Sequence, residues 1–473
     1  VTLPSPDLTR EHTWFDSVDP ATGRVLASFA ALERHQVDDK LAQAVSAFAT
    51  QRASSLTSRA ALLQQVAQTL RAESEACARL IARETGKVLR TAHEEVEKCA
   101  VGCEHFARHA AAALADEHVD TPGARTFVRY EPLGVILVVT TWNYPFWQVF
   151  RSIAPALMAG NVCLVKHAPN VPQCALAIEA LFARAGAAAG LVQTLLVDVD
   201  TVDRLLRHPQ VAAVTMTGRV GTGRRIGAAC GHAIKKAVLE LGGSDPLIVM
   251  PSANLDRAVD AAVEAVITNA GQSCTAGRRV ILAEPIAHAF ERAFTGRMER
   301  VRVGDPLEDG SEMGPLGTAE VLARLDVQVR QSIAAGCRLL AGGGRLRRSG
   351  NYFAPTVLAD IPKAAPAYSD EVFGPVACLF RVPGVTEAIA LANDVCYGLG
   401  ASVWTSNPEE QQRFVAELDA GMVFVNRRVR SDPRLPWGGV KQSGYGRELG
   451  VIGLRELTRV KTVWLEGSHS DGD

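Results

Sequence analysis

Apolar residues recur at helical spacing through residues 37–115, as in RAALLQQVAQTLRAESEACARLIARETG, where Gly86 sits as a C-cap. That stretch predicts a helical layer. HVDTPGARTFVRYEPLG then places a turn at Pro122-Gly123 between short extended stretches, which predicts a hairpin outside the main core. From Gly134 the texture changes. GVILVVT, NVCLVK, VQTLLVD and VAAVTMTG are short β-rich runs separated by helical patterns such as WQVFRSIAPALMAG and PQCALAIEALFARAG. Strands and helices alternating at this interval predict a parallel sheet of βαβ units, with a ligand crevice beyond the carboxyl ends of its strands.

A second alternation begins near Pro246 with LIVM, LDRAVDAAVEAVITNAG and RRVILA, and runs on through FAPTVLADI, VACLFRV and ASVWTS. It predicts a second α/β domain. Gly342–Gly344 with RLRRSGN reads as an exposed loop, and LTRVKTVWLEG alternates as an edge strand does. The closing SHSDGD is polar enough to be disordered. No repeat of 20–50 residues is present.

Composition narrows the class. The chain has 473 residues, 47% hydrophobic and 21% charged, as expected of a globular protein with more than one domain. A formal charge of −1 gives no overall field toward nucleic acid or anionic lipid. The longest apolar run, Val135–Val139, is far short of the ~18 residues of a membrane span. VTLPSPDLTREHTWF lacks the basic and apolar regions of a signal peptide, so the expected compartment is the cytoplasm. The ten cysteines are scattered in apolar surroundings and read as free thiols. Cys99, Cys103, His105 and His109 come nearest to a metal set, but at ~100° per residue the two pairs face apart around one helix. No metal site is expected.

Three residues stand where chemistry is possible. Cys274, in NAGQSCTAGRR, occupies a small-residue turn just after a predicted helix, a setting in which a thiol can react, although most free cysteines only pack. Glu240 ends an apolar strand before Gly242-Gly243, a pair that lets a carboxylate swing and backbone approach closely. A solvent-facing Glu before a turn would look the same. Asn143 follows a buried strand and can aim an amide into a crevice, or be a plain turn residue before Pro145.

WNYP, ELGGSDP, GQSC, EVFGPV and PWGGVKQSGYGRE occur in the order and near the spacing of the aldehyde dehydrogenase superfamily, which the chain resembles from about Trp14 to Trp464. PFWQVFRSIAPALMAGN and LVKHAPNVPQCA most resemble bacterial succinate-semialdehyde dehydrogenases of the Sad type. The resemblance implies that Cys274 is the nucleophile, Asn143 the oxyanion donor and Glu240 the base that activates water. Relatives that pass the acyl group to coenzyme A usually lack that glutamate, so hydrolysis to a free acid is implied. For a nicotinamide cofactor it implies Lys166 at the adenine ribose beside Trp142 and His167, and Gly218, Arg219 and Gly223 of TGRVGTG at the pyrophosphate. Leu241, Glu371 and Phe373 fall at the nicotinamide end.

The implied fold is α/β: a doubly wound Rossmann-type cofactor domain (1–115 and 131–240), an α/β catalytic domain (241–443), and a small β oligomerisation element (116–130 and 454–467) that pairs subunits into a homodimer or homotetramer. Residues 468–473 form the tail. Pro169 stands where NAD-preferring relatives carry Glu, and Arg219 where many carry Ser. NADP is thereby admitted, with NAD left open. Arg151 matches the carboxylate-binding arginine of succinate-semialdehyde dehydrogenases, although it could be a surface residue. A second arginine found in some relatives is Thr268 here; Arg427, Arg428, Arg430 and Arg434 could supply the charge, with Ser431 a hydrogen bond. An uncharged aldehyde, or a relative without activity, are the alternatives.

Overall fold

The β-branched runs become the centres of two sheets. In a computed structural model, which describes residues 13–122 and 124–466, the first sheet holds strands Lys236–Glu240, Val211–Thr217, Val135–Val139, Val162–Lys166 and Val192–Thr194 in that order, all parallel. Gly123 and the 468–473 tail lie outside the described residues. Strand order reverses beside Val135–Val139, because the chain first builds outward to Val192–Thr194 and then returns to its other side. The loops leaving Val135–Val139 and Val211–Thr217 therefore diverge and open a crevice. A two-residue antiparallel strand, Gly444–Tyr445, closes the far edge against Leu239 and Glu240.

The second sheet has seven strands, with Pro246–Val249 between Arg279–Ala283 and Gly400–Trp404; only its edge strand Arg338–Ala341 is antiparallel. Four helices, Arg34–Ala53, Leu56–Ala72, Ser74–Thr85 and Leu89–Ala113, make the layer written in the early periodicity. Gly86 caps the third of them at φ +77°, where an L side chain would be strained. A small hairpin, Trp14–Val18 with Val25–Ala30, precedes them. The pattern did not announce it, since its strands are only five and six residues long.

A third, three-stranded antiparallel sheet joins Glu117–Thr121 and Ala124–Pro132 to Thr458–Glu466. Among the described residues no helix is long and apolar enough to cross a membrane.

The helix Trp147–Met158 bears on the site. All twelve of its residues are buried, as its apolar sequence requires. Arg151 is therefore interior and not a surface arginine.

Candidate active site

The helix Leu255–Ile267 runs into one tight turn, Thr268–Gly271, in which Asn269 and Ala270 take left-handed φ of 53° and 51°. Asn tolerates that conformation through local hydrogen bonds. The Asn269 amide donates to the carbonyls of Asn143 at 2.8 Å and Gln272 at 3.1 Å. Gly271 (φ +69°) lies so close to Gly374 that a Cβ would come within 2.0 Å of its carbonyl oxygen. Buried Arg278 donates to the carbonyls of Gly243 (2.8 Å), Gly271 (3.2 Å) and Ser273 (2.7 Å), pinning the loop from behind. Cys274 emerges from this frame half-buried. Burial pushes its thiol up to about 12, an effect opposed by the positive charge of Arg151.

Asn143 is buried, and its Oδ1 accepts from Thr141 Oγ1 (2.6 Å) and Gln148 Nε2 (2.9 Å). Those bonds fix the amide's orientation. Its Nδ2 donates one hydrogen to the Gln272 carbonyl at 2.9 Å, leaving the second free. Glu240 ends its strand buried, with neither carboxyl oxygen hydrogen-bonded among the described residues. Burial, reinforced by the nearby Glu448 carboxylate and opposed by Arg151 and Arg447, holds its pKa well above the usual carboxylate range. Those surroundings favour its protonated form. Gly243 packs so tightly that a Cβ would approach the Cys274 carbonyl oxygen to 2.5 Å, so the glycine pair serves close approach.

Two cavities meet at Cys274. One, of about 310 Å³, lies in the crevice between the sheets and is lined by Trp142, Gly218, Arg219, Leu241, Glu371 and Phe373. Trp142 and Phe373 stand edge-to-face, centroids 6.1 Å apart. Glu371 accepts from the Gly243 amide at 3.2 Å and lies 3.6 Å from Arg278; burial raises its pKa, and Arg278 opposes the rise. The helix Val220–His232 begins at this crevice, and its first-turn amides lack intrahelical acceptors, a setting that suits a phosphate. Arg219 precedes it and pairs with Glu320 at 3.1 Å.

Lys166, His167, Pro169 and Gly223 lie outside this cavity wall. Lys166 ends its strand, with burial lowering its pKa. Pro169 is exposed. His167 Nδ1 accepts from the Ala168 amide (2.7 Å) while Nε2 donates to the Pro145 carbonyl (2.8 Å), and burial pushes the ring down to about 4. Both nitrogens of the His167 ring are thus engaged within the chain. Gly223 makes room for Leu241, whose Cδ2 lies 2.5 Å from where a Cβ would be.

The second cavity, about 210 Å³, lies on the opposite side of Cys274 and is lined by Lys98, Trp147, Arg151, Arg428, Ser431 and Trp437 among others. Arg151, assigned from the sequence to a substrate carboxylate, stands in this cavity's wall and also meets a carboxylate of the chain. Arg151 Nε pairs with Glu448, and Nη2 donates to Thr217 Oγ1 at 3.0 Å. Glu448 also accepts from Ser152 (2.7 Å) and Thr215 (2.9 Å). Arg428 is likewise paired, with Glu264. Glu240 lines neither cavity in this conformation.

The whole chain can be set against known proteins at this point. Residues 8–463 match the aldehyde dehydrogenase family. The chain belongs to that family. A probable NADP(+) succinate-semialdehyde dehydrogenase of Synechocystis is 46% identical over 95% of this chain and 99% of its own length. The succinate-semialdehyde dehydrogenase [NADP(+)] 1 of Mycobacterium tuberculosis H37Rv has the same identity and coverage. Among solved structures, the succinic semialdehyde dehydrogenase of Streptococcus pyogenes in complex with NADP+ superimposes with a TM-score of 0.94 at 32% identity, covering 96% of this chain and 100% of that one.

Within this aldehyde dehydrogenase, sequence reasoning missed Asn269, Arg278, Lys98 and Glu448. Asn269 carried a signal, an Asn at the end of a helical pattern followed by Ala-Gly. Arg278 and Glu448 lie inside the quoted NAGQSCTAGRR and PWGGVKQSGYGRE, but nothing local marked their roles or that of Lys98, since an arginine, a lysine and a glutamate in polar contexts look alike until the fold buries them.

Proposed function

We propose that the enzyme oxidises a small carboxylate-bearing aldehyde, succinate semialdehyde first among candidates, to the free acid, with NADP as the hydride acceptor. The observation that carries this is Cys274 at the junction of two cavities, one shaped for a dinucleotide's reactive end and the other rich in cations.

The residues present fit a nicotinamide cofactor. Trp142, Leu241, Glu371 and Phe373 bound a part-apolar chamber beside the sulfur, and the crevice at the reversal of strand order has a helix start for a pyrophosphate. Arg219, with no acidic residue at Pro169, leaves a 2′-phosphate unopposed. When bound, the nicotinamide takes the hydride released from the aldehyde carbon. The chain does the rest.

Cys274 Sγ, its proton passing to water in the cavity, attacks the carbonyl carbon. The free Asn143 N–H and the Cys274 backbone amide hold the oxygen as it becomes tetrahedral. Departure of hydride leaves a thioester. Glu240, turned from its buried site and ionised, takes a proton from water, whose oxygen adds to the thioester carbon; the carboxylic acid departs and the thiolate returns. A hydrolytic outcome is favoured over acyl transfer by the presence of this carboxyl.

The domain division stated from sequence accompanies this reading, with the three-stranded sheet as the subunit-pairing element of a homo-oligomer. Its edge strand Thr458–Glu466 exposes Val460 and Trp464. A substrate panel of semialdehydes and neutral aldehydes with NADP and NAD tests the function. A kcat/KM for butanal equal to that for succinate semialdehyde would sink the carboxylate reading.

A further inference from the structure

We infer that Arg278 is a positioning residue that aims the Cys274 backbone N–H at the oxygen of the reacting carbonyl. This rests on the proposal that Cys274 attacks such a carbonyl.

The N–H in question belongs to the peptide that joins Ser273 to Cys274. In a planar trans peptide the C=O and the N–H point in opposite directions, so fixing one fixes the other. Arg278 Nη2 donates to the Ser273 carbonyl at 2.7 Å. Cys274 lines both cavities and Arg278 lines neither, which puts the guanidinium on the protein side of the loop. With its C=O drawn to that side, the peptide presents the Cys274 N–H to the other, where the substrate's carbonyl comes. That N–H has no acceptor among the described residues. A donor held in place and unpaired is what a developing oxyanion needs.

Neighbouring contacts fix the plane of this peptide from both ends. The Gln272 carbonyl, one peptide earlier, accepts from Asn143 at 2.9 Å and from Asn269 at 3.1 Å. On the other side, Arg278 Nη1 donates to the Gly243 carbonyl at 2.8 Å, and Gly243 packs against the Cys274 carbonyl. The charge of Arg278 adds a second effect. A cation on the Ser273 oxygen draws electron density out of the amide and makes its N–H a stronger donor. The guanidinium is buried, and the Glu371 carboxylate 3.6 Å from Nη1 offsets its charge.

The experiment compares two reactions of the Cys274 thiol, both without cofactor, in a Cys396→Ser background because Cys396 is an exposed thiol. With p-nitrophenyl acetate the sulfur adds to the ester carbonyl, an oxyanion forms, and its collapse expels p-nitrophenolate, which is read by absorbance. With methyl methanethiosulfonate the sulfur attacks sulfur and expels methanesulfinate, and no oxyanion forms. In Arg278→Met the ratio of the first rate constant to the second should fall about tenfold or more, a part of the about 10²–10³ that a lost donor costs. Arg278→Lys, which keeps a charged donor for Ser273, should retain most of the ratio. Should the methionine variant fail to fold, Arg278→Gln offers a neutral donor in its place, and a fall of about threefold or more is expected. Asn143→Ala removes the other oxyanion donor and should lower the same ratio. If it does so while the neutral variants of Arg278 keep the ratio of the parent, or lose both rates together, the Arg278 assignment is overturned and the proposed reaction stands. An unchanged ratio in Asn143→Ala overturns the oxyanion site of that reaction instead, and the assignment with it.

Discussion

The Asn143 side chain donates to the Gln272 carbonyl at 2.9 Å, tying the loop that leaves one sheet to the residue two positions before Cys274, on the loop that follows helix Leu255–Ile267. One amide thus serves both as a strut and as the source of a free N–H. Replacing Asn143 with Ala removes both roles. We expect kcat to fall by about 10²–10³, the usual cost of one oxyanion donor, while the affinity for reduced cofactor, read by fluorescence titration, changes only a few-fold. A kcat loss below threefold would take Asn143 out of the reaction.

Glu240→Gln separates the two halves of the reaction. Acylation should survive as a burst near one equivalent of reduced cofactor per site, followed by turnover slowed by about 10²–10⁴, the contribution of a general base. The carboxyl also marks stability. Its folded pKa is raised by burial and by Glu448, so above the ordinary carboxylate pKa the unfolded chain binds fewer protons than the folded one. Stability contributed by the neutral acid is therefore present at low pH and is lost as pH rises toward the folded pKa. The glutamine variant should gain thermal stability over wild type at about pH 8 relative to about pH 5. A difference independent of pH would argue that Glu240 is not buried as an acid.

Cofactor choice should turn on the Arg219–Glu320 pair, which leaves the arginine partly spoken for. Arg219→Ala should lower kcat/KM with NADP relative to NAD by about tenfold, the scale of one phosphate contact, and Glu320→Gln should move the ratio the other way. If both variants leave the ratio where it was, the 2′-phosphate is read elsewhere.

Arg151 is held by an ion pair with buried Glu448. Its removal leaves Glu448 buried without its cation, a change that costs about 3–5 kcal/mol when such pairs are broken. Arg151→Ala should therefore lower the melting temperature and reduce kcat/KM for succinate semialdehyde and butanal alike. A loss confined to the semialdehyde would return Arg151 to the role of anchor.

The parallel sheets were legible in their β-rich runs, and Asn143, Glu240 and Cys274 stood out because each lies in a short segment whose local chemistry is unusual: Asn143 after VILVVT, Glu240 before paired glycines, Cys274 in a small-residue turn. The far end of the substrate site was not legible. Lys98 and Ser431 are 333 positions apart, and Arg151 and Glu448 meet only because a fully buried helix crosses a late loop. Nothing local tells a lysine with a counter-ion from one without. Pairing of charges is a property of the fold, and the Arg151–Glu448 pair is visible only there.

The two-residue strand Gly444–Tyr445 has a kinetic consequence. It pairs with Leu239 and Glu240, so the sheet that carries Glu240 acquires its last strand only after almost every other element has been synthesised. During elongation the Glu240 strand is an uncovered edge of the kind that recruits other chains. Competence for hydrolysis should be among the last properties a growing chain acquires, and ribosome-bound chains stopped before residue 444 should depend on chaperones to stay unaggregated.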